Sequence, residues 1–208
     1  DQADCVIEEG LVKLGEVKQL LIAYGDTAMD QQRWDEALTR WERLRATHPD
    51  ESRAWVRAAK ALLEQDHLIE AQQLLTQGVA QLGEREELAQ AQQGIEARVQ
   101  TVREAMQEAK QQGCWESVLE HCERLRRYAP SEWRGYGEAC VAYRHLGQWE
   151  QADGVIEEGL AKLGEVKELL IAYGDTAMDQ QRWDEALTRW ERLRATHPDD
   201  SRGWVRAA

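Results

Sequence analysis

The stretch 3–59, ADCVIEEGLVKLGEVKQLLIAYGDTAMDQQRWDEALTRWERLRATHPDESRAWVRAA, returns at 152–208 as ADGVIEEGLAKLGEVKELLIAYGDTAMDQQRWDEALTRWERLRATHPDDSRGWVRAA, with 52 of 57 positions identical at an offset of 149. A duplication of this length makes the chain a repeat protein, and repeats bury their apolar faces by stacking on one another rather than around one centre. A finer ruler lies inside it. Small residues at Ala3, Ala37, Ala71, Val118, Ala152 and Ala186 are spaced by 34, 34, 47, 34 and 34 residues. The period is therefore 34 with one insertion of 13, which accounts for the long offset.

Each period predicts two helices. After Ser52, the residues Trp55, Ala58, Ala59 and Leu62 recur at three- and four-residue spacing, and beyond Asp66 and His67 a second stripe runs through Leu68, Ala71, Leu74, Leu75 and Gly78 to Gly83. Ser52 is the expected N-cap and Gly83 the expected left-handed stop. The units alternate in type. One kind ends with Leu and Pro (Leu44 and Pro49, Leu125 and Pro130, Leu193 and Pro198), the other with two glycines (Gly10 and Gly15, Gly78 and Gly83, Gly159 and Gly164), so the working repeat is a pair of 68 residues.

The insertion keeps its helical rhythm. Leu88, Ala91, Ile95, Val99, Val102, Met106 and Ala109 continue at three- and four-residue spacing without Pro, which predicts one helix from Glu84 to about Gln112. At 1.5 Å per residue it would span roughly 40 Å. Gly94 could instead mark a kink or a split. Leu88 and Ile95 are then a candidate apolar edge for docking a partner or a second copy; the alternative, which we prefer, is an extension that caps its own neighbours.

Tyr24, Gly25, Ala28, Ala37, Trp41, Leu44 and Pro49, repeated as Tyr173, Gly174, Ala177, Ala186, Trp190, Leu193 and Pro198, give the chain its resemblance to the tetratricopeptide repeat family. The resemblance covers the chain apart from the insertion, with departures at Val118, where Ala is usual, and Met106, where Gly is usual. It implies an all-α, right-handed superhelical array (an α-solenoid) of antiparallel helical hairpins. The array would run over 1–208 as a partial unit 1–17, units 18–51, 52–85, 86–132 with the insertion, 133–166 and 167–200, and a partial unit 201–208.

The resemblance also implies a non-enzymatic scaffold that holds a peptide or partner protein on a concave face lined by first helices. The matching places are Asp26, Met29 and Asp30; Arg53, Val56, Arg57 and Lys60; Arg103 and Gln107; Arg134, Glu138, Val141 and Arg144; Asp175, Met178 and Asp179; and Arg202, Val205 and Arg206. Acidic and basic rungs alternate, so a ligand would carry spaced charges of both signs with apolar anchors. The family's carboxylate clamp uses Lys and Asn at places held here by Ile22, Asp26, Val56 and Lys60, so that ligand is not supported.

Composition narrows the remaining options. A net charge of −13 argues against nucleic acid as the main partner, since phosphate affinity comes largely from Lys and Arg. No apolar run approaches the roughly 20 residues needed to cross a bilayer, so neither membrane insertion nor a signal segment is expected, and a cytoplasmic location is expected. Cys5, Cys114, Cys122 and Cys140 form no CxxC pair and read as small buried residues. Eight of the nine Trp fall at packing places, leaving Trp133 as the one expected to be exposed. The five His do not converge, and no phosphate loop, nucleophile elbow or zinc signature occurs, so no metal, cofactor or catalytic site is expected.

Two further readings stay open. The segment 1–15 reads as a second helix without its first and 201–208 as the opening of a first helix. Apolar faces at Val6 and Ile7 and at Trp204 and Val205 could therefore join copies head to tail, a heterologous contact that can grow into filaments. Alternatively, the array is a fragment of a longer protein and serves as the targeting arm of an enzyme.

Overall fold

The apolar stripes fold as helices with no strand among the described residues, which in the computed structural model are 2–206. Twelve helices follow in order: α1 (Gln2–Leu14), α2 (Lys18–Asp30), α3 (Trp34–Thr47), α4 (Ser52–Glu64), α5 (Leu68–Leu82), α6 (Glu86–Gln111), α7 (Trp115–Tyr128), α8 (Arg134–His145), α9 (Trp149–Leu163), α10 (Lys167–Asp179), α11 (Trp183–Thr196) and α12 (Ser201–Val205). They form two compact units, Asp1–Arg98 and Val99–Ala208, parted within α6.

Five hairpins share one turn. Arg33, His67, Cys114, Gln148 and Arg182 each donate a backbone N–H to the carbonyl five residues earlier, at 2.8 to 3.0 Å. This closes a helix end whose next-to-last turn residue is left-handed. That residue is Gln32, Asp66, Gly113, Gly147 or Gln181, with φ between 57° and 71°. The two glutamines adopt it at a cost of about 1 kcal/mol that glycine would avoid. Between hairpins, Gly83 and Gly164 cap α5 and α9 at φ 75°, ψ −176° and φ 80°, ψ −162°. This is not the left-handed helical stop expected from sequence but an extended mirror conformation open essentially only to glycine.

Packing follows the repeat. In the first unit Leu21, Ala28, Ala37, Trp41, Leu44, Ala54, Ala58 and Ala61 form a fully buried core joining α2, α3 and α4. Trp41 and its copy Trp190 are fully buried because Gly25 and Gly174 make room: a Cβ at Gly174 would sit 2.5 Å from the Trp190 ring. Helix propensity favours Ala over Gly by about 1 kcal/mol, but such an overlap costs about 1 to 3 kcal/mol, so overpacking wins. Gly174→Ala is expected to destabilise the protein by up to about 2 kcal/mol in a urea titration followed by circular dichroism. A stabilised variant would show that the indole is free to move aside.

Charged residues are also built into the interior. Asp4 on α1 accepts hydrogen bonds from Arg33 and, at 2.8 Å, from Arg40, whose guanidinium also donates to the Tyr24 carbonyl at 2.8 Å and lies 3.7 Å from the Tyr24 ring centre. The second copy repeats this around Asp153, with Arg182 at 2.7 Å and Arg189 at 2.6 Å. Each network ties a hairpin to the helix before it.

Several expectations need correction. Ser52 is the first residue of α4, buried, and its hydroxyl donates to Glu87, while Glu51 caps the helix by accepting from the Arg53 N–H at 3.4 Å. Helix α6 is continuous through Gly94. The candidate docking edge at Leu88 and Ile95 is not exposed: these residues are 0% and 3% accessible, with Leu88 packed beside Gly78. The apolar stripe of the insertion therefore faces inward. Met29 belongs to the first unit's core and not to a groove. Trp183 and Trp204 are exposed, as are Cys5 and Cys114; only Cys122 and Cys140 are buried. No helix among the described residues is long and apolar enough to cross a membrane.

Candidate functional site

Successive first helices stand one period apart, so their charged residues meet across the gap. In the first unit Asp26 on α2 receives Arg53 at 2.6 Å and Arg57 at 3.2 Å from α4. Asp30 and Lys60 are exposed and lie outside these pairs. In the second unit Arg103 on α6 holds Glu132 at 2.7 Å, and Arg134 reaches the same carboxylate at 3.3 Å. Burial pushes Glu132 up, but the hydrogen bonds and charges of Arg103 and Arg134 outweigh it and hold the carboxyl below its ordinary value. Lys110 meets Glu138 at 2.6 Å, Arg144 on α8 donates to Asp179 on α10 at 2.9 Å, and Arg206 binds Asp175. Arg202 turns back to Asp200 at 2.8 Å.

The acidic and basic rungs thus bind one another. Sequence reading placed most of these residues in the ladder but not their mutual pairing, and it missed Lys110, Glu132 and Asp200. A search for opposite charges about one period apart would have found them: Arg103 precedes Glu132 by 29 residues and Lys110 precedes Glu138 by 28.

The second unit also contains an open hollow of about 220 Å³. Trp133, Gly137, Val141, Ile171 and Ala172 supply its apolar surface, and Lys110, Glu138, Arg144, Glu168, Asp175 and Arg202 its charged rim. The Trp133 ring lies over Gly137, 3.1 Å from where a Cβ would stand, so this glycine lets the indole lie against α8. Trp133 is half-buried, not the exposed residue expected. Three cations and three anions line the rim, so its formal charges cancel. Asp175 is the exception in its titration: burial pushes its carboxyl up, against the charges of Arg206 and Arg144.

No reactive constellation accompanies the hollow. Burial pushes the Cys122 thiol up to about 12 and the Cys140 thiol up to about 11, which keeps both protonated. No group of three or more metal-ligating side chains converges among the described residues.

A model of the tetratricopeptide repeat matches residues 23–81 and 172–208. No curated protein matches. Among solved structures, the chain is similar to the TPR2AB domain in the pHSP90 complex of yeast Sti1, with 14% identity over 98% of this chain and 88% of that one, at a TM-score of 0.47. It is also similar to TTC0263, a thermophilic TPR protein of Thermus thermophilus, with 23% identity over 92% of this chain and 97% of that one, at a TM-score of 0.42. The segments 23–81 and 172–208 thus carry tetratricopeptide repeats, set within a chain that keeps the same 34-residue period and the same hairpin turn.

Proposed function

We propose that the chain is a protein-interaction scaffold and that the hollow in its second unit is where a peptide or a partner helix rests. The observation that carries this reading is the apolar surface of Trp133, Val141 and Ile171 framed by a charge-balanced rim. Since the rungs are already paired, a purely ionic ligand would have to break existing pairs to bind. Affinity is better drawn from burying an apolar anchor, worth about 1.5 to 3 kcal/mol, while the rim sets register and approach. The residues Asp175, Asp179, Arg134, Arg144, Arg202 and Arg206 act in that second role, and Asp26, Asp30, Arg53, Arg57 and Lys60 form the matching face of the first unit.

The test is selection from a random peptide display library on the intact chain, followed by titration of the winning peptides against two variants. Ile171→Asp is expected to weaken binding by about 10-fold or more, the equivalent of losing one buried apolar anchor. Gln73→Glu, at an exposed position on α5 in the other unit, is expected to leave it unchanged. Peptides that bind both variants and the parent equally would place recognition elsewhere.

A further inference from the structure

The rim of the hollow is balanced in formal charge but not in pairing. Lys110 holds Glu138 at 2.6 Å, Arg206 holds Asp175, and Arg144 donates to Asp179 at 2.9 Å. Arg202 turns back to Asp200, which accepts from its Nε at 3.0 Å and its Nη2 at 2.8 Å and has Lys167 at 3.7 Å. Glu168 is what remains. It lines the hollow three and four residues before Ile171 and Ala172, on the same face of α10, and makes no hydrogen bond or ion pair among the described residues. Glu168 and Arg202 feel each other's charge, but the guanidinium is committed to Asp200.

The two copies of the duplicated sequence differ at five of 57 positions, and two of the five set this charge. Gln19 holds the place of Glu168, and Glu51 the place of Asp200. In the first copy Glu51 takes Lys18 at 2.7 Å, and Arg53, the counterpart of Arg202, reaches across to Asp26 at 2.6 Å. In the second copy the shorter Asp200 takes Arg202 instead, and Asp175, the counterpart of Asp26, keeps Arg206. Both changes act in one direction. One adds a carboxylate at the hollow and the other draws a cation away from it.

We infer that the hollow selects a basic side chain, lysine or arginine, and that Glu168 is the residue that sets this preference. The inference rests on the hollow being the peptide site proposed above. A chain segment seated on Val141 and Ile171 also covers Glu168 and takes water from its carboxylate. An ion stripped of water and left unpaired opposes binding, so an uncharged or acidic occupant is penalised there. A lysine or arginine meets both demands, with its methylene stem on the apolar surface and its charged head on the carboxylate. The other rim charges carry their partners already and discriminate less.

Random peptide display on the full chain, in parent form and as Glu168→Gln, tests it, with circular dichroism confirming the helices. The variant installs the residue that the first copy carries at this place in a helix of otherwise identical sequence. Parent winners are expected to share a lysine or arginine beside an apolar residue, and Glu168→Gln winners to lose that enrichment. One parent winner is then synthesised with its basic residue and with norleucine in its place. Both forms are titrated against the parent, Glu168→Gln and the uncharged Ile171→Asn. The parent is expected to prefer the basic form by about 5-fold, the upper range for a partly exposed ion pair, and Glu168→Gln to bind both forms equally. Ile171→Asn is expected to weaken both. A library that yields no binder, or winners that Ile171→Asn leaves untouched, would overturn the hollow as the site and this inference with it. Winners that Ile171→Asn weakens but that bind the parent equally in basic and norleucine forms would keep the hollow as the site and overturn the basic preference alone.

Discussion

Replacing Trp41 with alanine is expected to remove about 3 to 5 kcal/mol of stability, the range for truncating a large buried aromatic. The indole is fully buried and lies against Gly25, where a Cβ would sit 2.6 Å from the ring. A glycine has no side chain with which to fill the vacated space, and the surrounding Ala28, Ala37 and Ala58 are too short to reach across it. The cavity therefore stays open and its cost is not recovered by relaxation. Trp41→Phe, which keeps one ring, should recover part of the loss. The check is urea unfolding followed by the far-ultraviolet helix signal; an unchanged midpoint would mean that the core does not depend on this ring.

A loss of about 3 kcal/mol is expected from Asp153→Ala, because it leaves the guanidinium of Arg189, 5% exposed, without its principal partner. Arg189 would keep the Tyr173 carbonyl at 2.7 Å and the Glu185 carboxylate, which sets the loss at the lower end of the range for broken buried pairs. The same site gives a pH dependence. Burial pushes the Asp153 carboxyl up, but hydrogen bonds from Arg189 and Arg182 and their charges outweigh it and hold the group below its ordinary value. A carboxyl with a folded pKa below the unfolded one contributes stability above the unfolded value, about 3.9, and loses it as pH falls through the folded value. Parent stability should thus decline steeply below about pH 4, and Asp153→Asn should flatten that slope. Parallel acid curves for parent and variant would assign the acid sensitivity to other carboxylates.

What the sequence revealed and what it hid differ in physical kind. The helices, their stripes and the continuous 26-residue α6 follow from apolar periodicity, which is local and was legible residue by residue. The inward face of Leu88 and Ile95 was the preferred of two readings but not a fixed one, since a helical stripe shows that one side is apolar without showing what lies opposite. The Asp153 network and the paired rungs were hidden for a related reason. Aspartate and arginine on a helix usually read as solvated charges, and only a partner a full period away turns them into fixed interior groups. The exposure of Trp183 is the reverse case: its copy Trp34 packs on the first unit's core as the repeat pattern predicts, so residue type and spacing alone gave no warning.

The shared turns of the two long copies carry one more consequence. Helices α3 and α11 have the same sequence but different surroundings, yet they begin after residues at φ −87°, ψ 72° and φ −85°, ψ 72°, and end on His48 and His197 at φ −132°, ψ 71° and φ −132°, ψ 66°. Covering one face of the hairpin or leaving it bare does not change its outline. Form is thus written within each module, and adjacency contributes persistence without altering form. Modules of this kind can be counted, inserted or deleted in whole steps, and the array's length becomes a variable independent of its local geometry.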